Sequence, residues 1–294
     1  MDTELKPVWK SSSFLVYTGG LTVLNAALAA LGYLAASYGR AAFVGWALLI
    51  LAGLYAVAHA FKRRDRWVAA GIFAFASVIA WGVFVVALWV WFGWLSVHDL
   101  TSLPFKGFSV ARLSLLLLVV VAAIDDRRRF RFPFITALIV WFGWLFVTDL
   151  LSGGGSWSAV VSLVVGLAYV AIGGSSDRPS AFWYHLAGGL LIGGSLLYWW
   201  HGGDWQWALI CVVALLYVGM AHRTDRSSWA VLAALALLAA TSHFSNEWSS
   251  GGSTHVFGLS FGIQYRGWVP PLVFAFTGFL LVALGIVIAR RRPA

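Results

Sequence analysis

Acidic and imidazole side chains recur at the ends of apolar stretches in this chain. His98 precedes Asp99, Asp149 follows a fifty-residue interval, His201 precedes Asp204, and His243 precedes Glu247, with His255 further on. Carboxylate oxygens and imidazole nitrogens are donor types that hold divalent metals. A carboxylate beside an indole also suits an ammonium group or a sugar, and Trp205 adjoins Asp204. No HExxH motif and no tight His-x-His pair accompanies them, so a metal is left unassigned. Two carboxylates brought together would repel, and a bound cation or polar headgroup would relieve that repulsion. Asp149, Asp204 and Trp205 are therefore the candidate ligand-binding residues, in a shallow site at one membrane face. Solvated loop residues explain the same pattern without a ligand. No catalytic residue is assigned.

A second group of histidines, His59, His185 and His222, lies near arginine-rich turns. Paired imidazoles on facing helices are a familiar haem arrangement. Spacing alone does not bring these three together, and polar caps at a basic interface explain them equally well. The cofactor is accordingly unknown.

The elements that must position these residues are hydrophobic. Of 294 residues, 61% are hydrophobic and only 11% charged. A water-soluble domain of this size needs far more polar surface. A helix needs about 20 apolar residues to cross the hydrocarbon core. Stretches near 13–36, 41–61, 67–96, 110–124, 132–151, 157–174, 181–200, 205–222, 228–243 and 269–289 are candidates. Transmembrane strands need alternating polarity, which the run from Leu113 to Ile124 lacks. The expected fold is an all-α polytopic bundle of about ten spans, forming one membrane domain over 1–294.

Charge distribution orients it. Sixteen of the twenty Lys and Arg residues fall on the side of the even-numbered gaps and both ends; Arg40, Lys106, Arg112 and Arg266 are the exceptions. That asymmetry predicts cytoplasmic termini and a cytoplasmic (bacterial-type inner) membrane location. It also gives the net charge of +9 a lipid-facing use, so nucleic acid is not expected as a partner. No small-residue cleavage pattern follows the first span, which is expected to be retained as an anchor. The single Cys211 falls inside a span, excluding an internal disulfide and arguing against a thiolate metal site.

The chain repeats itself. Trp91-Phe92-Gly93-Trp94-Leu95 recurs as Trp141-Phe142-Gly143-Trp144-Leu145, and Asp-Arg pairs mark four inner gaps at Asp65, Asp126, Asp177 and Asp225. A two-span repeat preserves orientation, so its copies are expected to be parallel-related hairpins. The longest extracytoplasmic loop is expected at 243–268, with Pro270-Pro271 opening the last helix. Many of the 18 tryptophans gather at one predicted interface, where an indole's apolar ring and polar N–H both find partners. Gly189 and Gly193 form a small-xxx-small pattern expected to permit close helix packing.

The spans hold no Asp, Glu, Lys or Arg in their central portions. Proton relays and voltage sensors are disfavoured by that absence. The favoured function is a non-enzymatic scaffold, accessory subunit or exterior-face binding module, with membrane lipids and another membrane protein as partners. A permease for a neutral or apolar substrate, or an enzyme acting on a lipid-linked substrate, are the alternatives.

Overall fold

The computed structural model describes residues 11–95, 108–200, 202–224, 226–248 and 269–290. All regular structure among them is helical: α1 (Ser11–Arg63), α2 (Trp67–Phe92), α3 (Val110–Phe130), α4 (Ile135–Leu151), α5 (Gly155–Gly174), α6 (Ala181–Trp199), α7 (Asp204–Thr224), α8 (Ser227–Trp248) and α9 (Val269–Arg290). Each of the ten predicted apolar stretches falls on a helix, because α1 holds two of them. Gly39 breaks it with φ 81° and ψ −178°, a left-handed conformation that a Cβ disfavours. Among the described residues, five segments are long and apolar enough to cross a bilayer: Tyr38–Arg63, Trp67–Phe92, Gly155–Gly174, Asp204–Thr224 and Ser227–Ser245. Ile135–Leu151 is a shorter apolar helix. Leu and Val side chains along them stay exposed, as at Leu117, Val121, Val164, Leu167, Val212 and Leu216. Such faces are a liability in water and ordinary in lipid.

The chain divides into two compact units, residues 1–192 and 193–294, the boundary falling within α6. In the first, consecutive helices pack on one another from α1 to α5, and α2 also touches α4. The contact face of α2 is built from small residues, Ala70, Gly71, Ala74, Ser77 and Ala80, so its neighbours approach closely. A Cβ at Gly71 would overlap the Phe132 ring. Phe132 joins Ala58, Val78, Val119, Phe130, Ile135 and Leu138 in the main core. In the second unit α8 packs against both α7 and α9.

Local sequence explains the helix ends. Ser109 caps α3 by accepting from the Arg112 N–H at 3.4 Å. Gln206 reaches back to the Gly203 N–H at 2.9 Å, securing the start of α7. Pro270 and Pro271 occupy the first turn of α9, as expected of residues lacking an amide donor.

The two pentapeptide copies adopt different structures. Gly93 turns left-handed at φ 76° and ends α2, leaving Trp94 exposed. Gly143 continues α4, where a Cβ would come within 3.2 Å of the Tyr169 hydroxyl. That hydroxyl donates to the Val140 carbonyl at 2.8 Å, and Trp144 Nε1 donates to Ser162 Oγ at 2.9 Å. Packing against α5 therefore carries the second copy through as helix.

Candidate functional site

Asp149 closes α4 and is buried, only 2% exposed. Arg112, in the first turn of α3, engages both its oxygens: Nε meets Oδ2 and Nη2 donates to Oδ1 at 2.9 Å. A planar guanidinium and a carboxylate match in this forked geometry. Beside it, the Ser152 hydroxyl donates to the Thr148 carbonyl at 2.6 Å and meets Ser158 Oγ at 2.7 Å. A ligand reaching Asp149 would have to compete with a fixed internal cation.

Asp204 belongs to the second unit and opens α7. Its side chain is 71% exposed and accepts a 3.1 Å contact from His243 Nε2, whose own side chain is 18% exposed. His243 lies flat on Trp207, ring centroids 4.5 Å apart and planes within 10°. Trp205 is exposed and meets Trp200 edge to face at 6.0 Å. Here a carboxylate and the indoles of Trp200 and Trp205 are exposed, beside a half-buried imidazole, a combination that suits an organic cation.

Below this cluster runs a groove of about 440 Å³, lined by Cys211 and Leu215 of α7, Leu237, Thr241 and Phe244 of α8, and α9 residues including Val273, Phe276 and Thr277. Thr241 and Thr277 hydroxyls meet at 2.6 Å, and each also reaches a carbonyl one turn back. The walls thus present no unsatisfied hydroxyl, and the groove is apolar.

Sequence patterns missed Arg112 as the partner of Asp149. The available signal was its presence on the basic-poor side, where a cation needs a local reason. Asp126 was missed too. It lies beyond the apolar 110–124 stretch, in the basic end of α3, yet is buried. Ser77 Oγ is 2.7 Å from the Ala74 carbonyl and 3.3 Å from Asp126 Oδ2. The hydroxyl has one proton to share between the two, so it is only a weak donor to the Asp126 carboxylate. Burial lifts this carboxyl from 3.8 to about 6, opposed by the Ser77 bond, raised by Asp125, and lowered by Arg129 and His59.

Part of the arginine-rich end of the first unit is internally paired. Arg129 bonds Tyr55 Oη and Asp125, each at 2.7 Å, while Lys62 donates to the Arg129 carbonyl at 2.8 Å. Arg127 donates to Ser180 at 3.1 Å. His59 packs edge-on against Phe130 at 5.2 Å, His185 is buried, and His222 is exposed. His185 fits against Gly173, where a Cβ would lie 2.8 Å from its ring.

Close helix approach occurs one residue from the predicted glycine. A Cβ at Gly188 would come 2.7 Å from the Gly166 carbonyl, and one at Gly166 would come 2.9 Å from the Gly188 carbonyl. Gly189 is buried, whereas a Cβ at Gly193 meets no heavy atom within 4 Å.

Among the described residues no three His, Cys, Asp or Glu side chains gather to hold a metal. His98, Asp99, His201 and residues 249–268 lie outside the described residues, as does the Glu247 side chain; α8 itself continues to Trp248. No family model, curated protein or solved structure matches this chain.

Proposed function

We propose that this chain is a multi-pass membrane protein serving as a non-enzymatic binding module, its recognition surface at the Asp204 end of α7. The observation that supports this most is the exposed Asp204–His243 pair flanked by open indoles. Solvent-facing charge beside aromatic surface is available to a ligand, while the Asp149 carboxylate is engaged by Arg112. In this reading Asp204 and Trp205 contact the ligand, while Asp149 has a structural role within its own unit. Ten crossings, parallel-related hairpins and cytoplasmic termini complete the proposal, supported by the sixteen-to-four distribution of basic residues. The Asp204 end then faces away from the cytoplasm.

Mass spectrometry of the protein released from mild detergent tests the recognition surface. The wild type is expected to carry a bound small molecule or lipid that the Asp204→Asn/Trp205→Ala protein loses. Equal adducts on both proteins would remove the surface from consideration. Orientation has its own test, in a Cys211→Ser background. Cysteine introduced at the exposed Ser156 is expected to react with impermeant maleimide on intact cells, and cysteine at Ser12 to stay protected. The reverse pattern would invert the topology.

A further inference from the structure

The groove between α7 and α9 lies directly beneath the exposed cluster, and the two form one amphipathic cleft. Asp204, Trp207, Cys211 and Leu215 follow one another at helical spacings of three and four residues, so they descend a single face of α7. At about 1.5 Å per residue, Leu215 lies roughly 16 Å below Asp204. On α8, which His243 ties to Trp207 and Asp204, the lining descends from Phe244 through Thr241 to Leu237. Carboxylate and aromatic groups thus stand at the mouth, and from Phe244 to Leu237 the apolar wall descends roughly 10 Å, about a third of a 30 Å hydrocarbon core.

The lining selects the occupant. The groove of about 440 Å³ is apolar, and an extended hydrocarbon chain lies in it without desolvating a polar group of its own. The wall hydroxyls are satisfied internally, so nothing in the groove rewards a polar chain. At the mouth, the Asp204 carboxylate is open and Trp205 is exposed, which complements a positive head.

We propose that this cleft binds one membrane lipid with an amine-bearing headgroup, its ammonium at Asp204 and one acyl chain laid along Cys211, Leu215, Thr241 and Thr277. This deepens the recognition surface proposed above and rests on it for the head, while the chain site rests on the groove alone.

Native mass spectrometry of the full-length protein, titrated with phosphatidylethanolamine and with phosphatidylglycerol of identical chains, tests both parts. Wild type is expected to bind the first lipid about tenfold more tightly, the effect of one charge-assisted contact. Asp204→Asn should abolish that preference and leave the weaker chain-driven binding. Leu215→Trp, placed on an exposed position where added bulk enters the groove without invading the core, should weaken both lipids at least fivefold. Cys211→Phe is a second groove-filling variant, and thermal melting confirms that each protein is folded. Equal binding of the two lipids by wild type would overturn the headgroup assignment. Loss of the adduct in Asp204→Asn with no effect of either filler would overturn the chain site and leave the polar recognition surface standing. A stoichiometric protein in place of lipid, displaced by the fillers, would overturn the proposal in favour of a helical partner.

Discussion

Asp149 and Asp204 each mark the end of an apolar helix, and each meets a nitrogen base from the neighbouring helix, yet their situations are opposite. Asp149 sits in the last turn of α4, where unpaired carbonyls repel a carboxylate, and Arg112 sits in the first turn of α3, where unpaired N–H groups repel a cation. Each is placed against its own helix dipole and is tolerable chiefly because of the other. Asp204 opens α7 and His243 lies in the last turns of α8, the ends that favour an anion and a cation respectively. The Asp204 carboxylate is exposed and needs that contact little. A carboxylate at a helix end is structural when the dipole disfavours it and the site is dry, and it is available for binding when the dipole already supports it.

Breaking the Arg112–Asp149 pair is the harshest test of this contrast. Arg112→Ala leaves a buried carboxylate at an unfavourable helix end, and a loss of about 3–5 kcal/mol is expected. Detergent-solubilised protein should show it as a markedly lower melting temperature. Replacing both residues, Arg112→Met with Asp149→Leu, is expected to recover most of that loss. A single-variant effect below about 1 kcal/mol would place the pair among ordinary surface contacts.

Much of the fold was legible because hydropathy is local: each apolar stretch became a helix. Pairing was not legible, since Arg112 and Asp149 are 37 residues apart and nothing in either stretch names the other. The repeated pentapeptide makes the same point. Identical residues end a helix at Gly93 and continue one at Gly143, and the difference comes from Tyr169 and Ser162 of α5. Small-residue spacing located α6 as a packing helix; the tight backbone approach is at Gly188, beside the buried Gly189, and Gly193 meets open space. At the candidate site, composition marked Asp204 and Trp205, whereas the groove below them depends on three helices meeting.

Asp126 supplies a third carboxylate, with a hydroxyl where Asp149 has a guanidinium. Its raised value of about 6 means the folded protein binds a proton more tightly than the unfolded chain. Stability from this group is present at low pH, falls as pH rises from about 4 to about 6, and stays reduced above that. The loss is on the order of 1–3 kcal/mol. Asp126→Asn is expected to melt higher than wild type at pH 7.5, with the difference narrowing toward pH 4.5. A gap that widens on acidification would mean that the ionised carboxyl is the preferred form.

Gly188 extends the contrast from charge to volume. Leu at this position drives side-chain carbon into the Gly166 backbone, and about 1–3 kcal/mol of stability should be lost. Leu at Gly193 meets open space and is expected to change the melting temperature little. Comparable effects at both would show that α6 is packed on both glycines.

The smallest effect belongs to Asp204, and its smallness carries the argument. Asp204→Asn keeps a side chain able to accept at a helix start and gives up only an exposed contact with His243 and an anion–dipole attraction. Each of these is worth about 0.3–1 kcal/mol at most. The two need not add, because both are screened by solvent and salt. The melting temperature in detergent should therefore move by no more than a few degrees, and by less at high ionic strength. Arg112→Ala, in contrast, should keep its penalty in salt, since its carboxylate is buried. A large, salt-resistant loss in Asp204→Asn would show that Asp204 holds its unit together in the way Asp149 does. A small, salt-sensitive one leaves the carboxylate free to be used for binding.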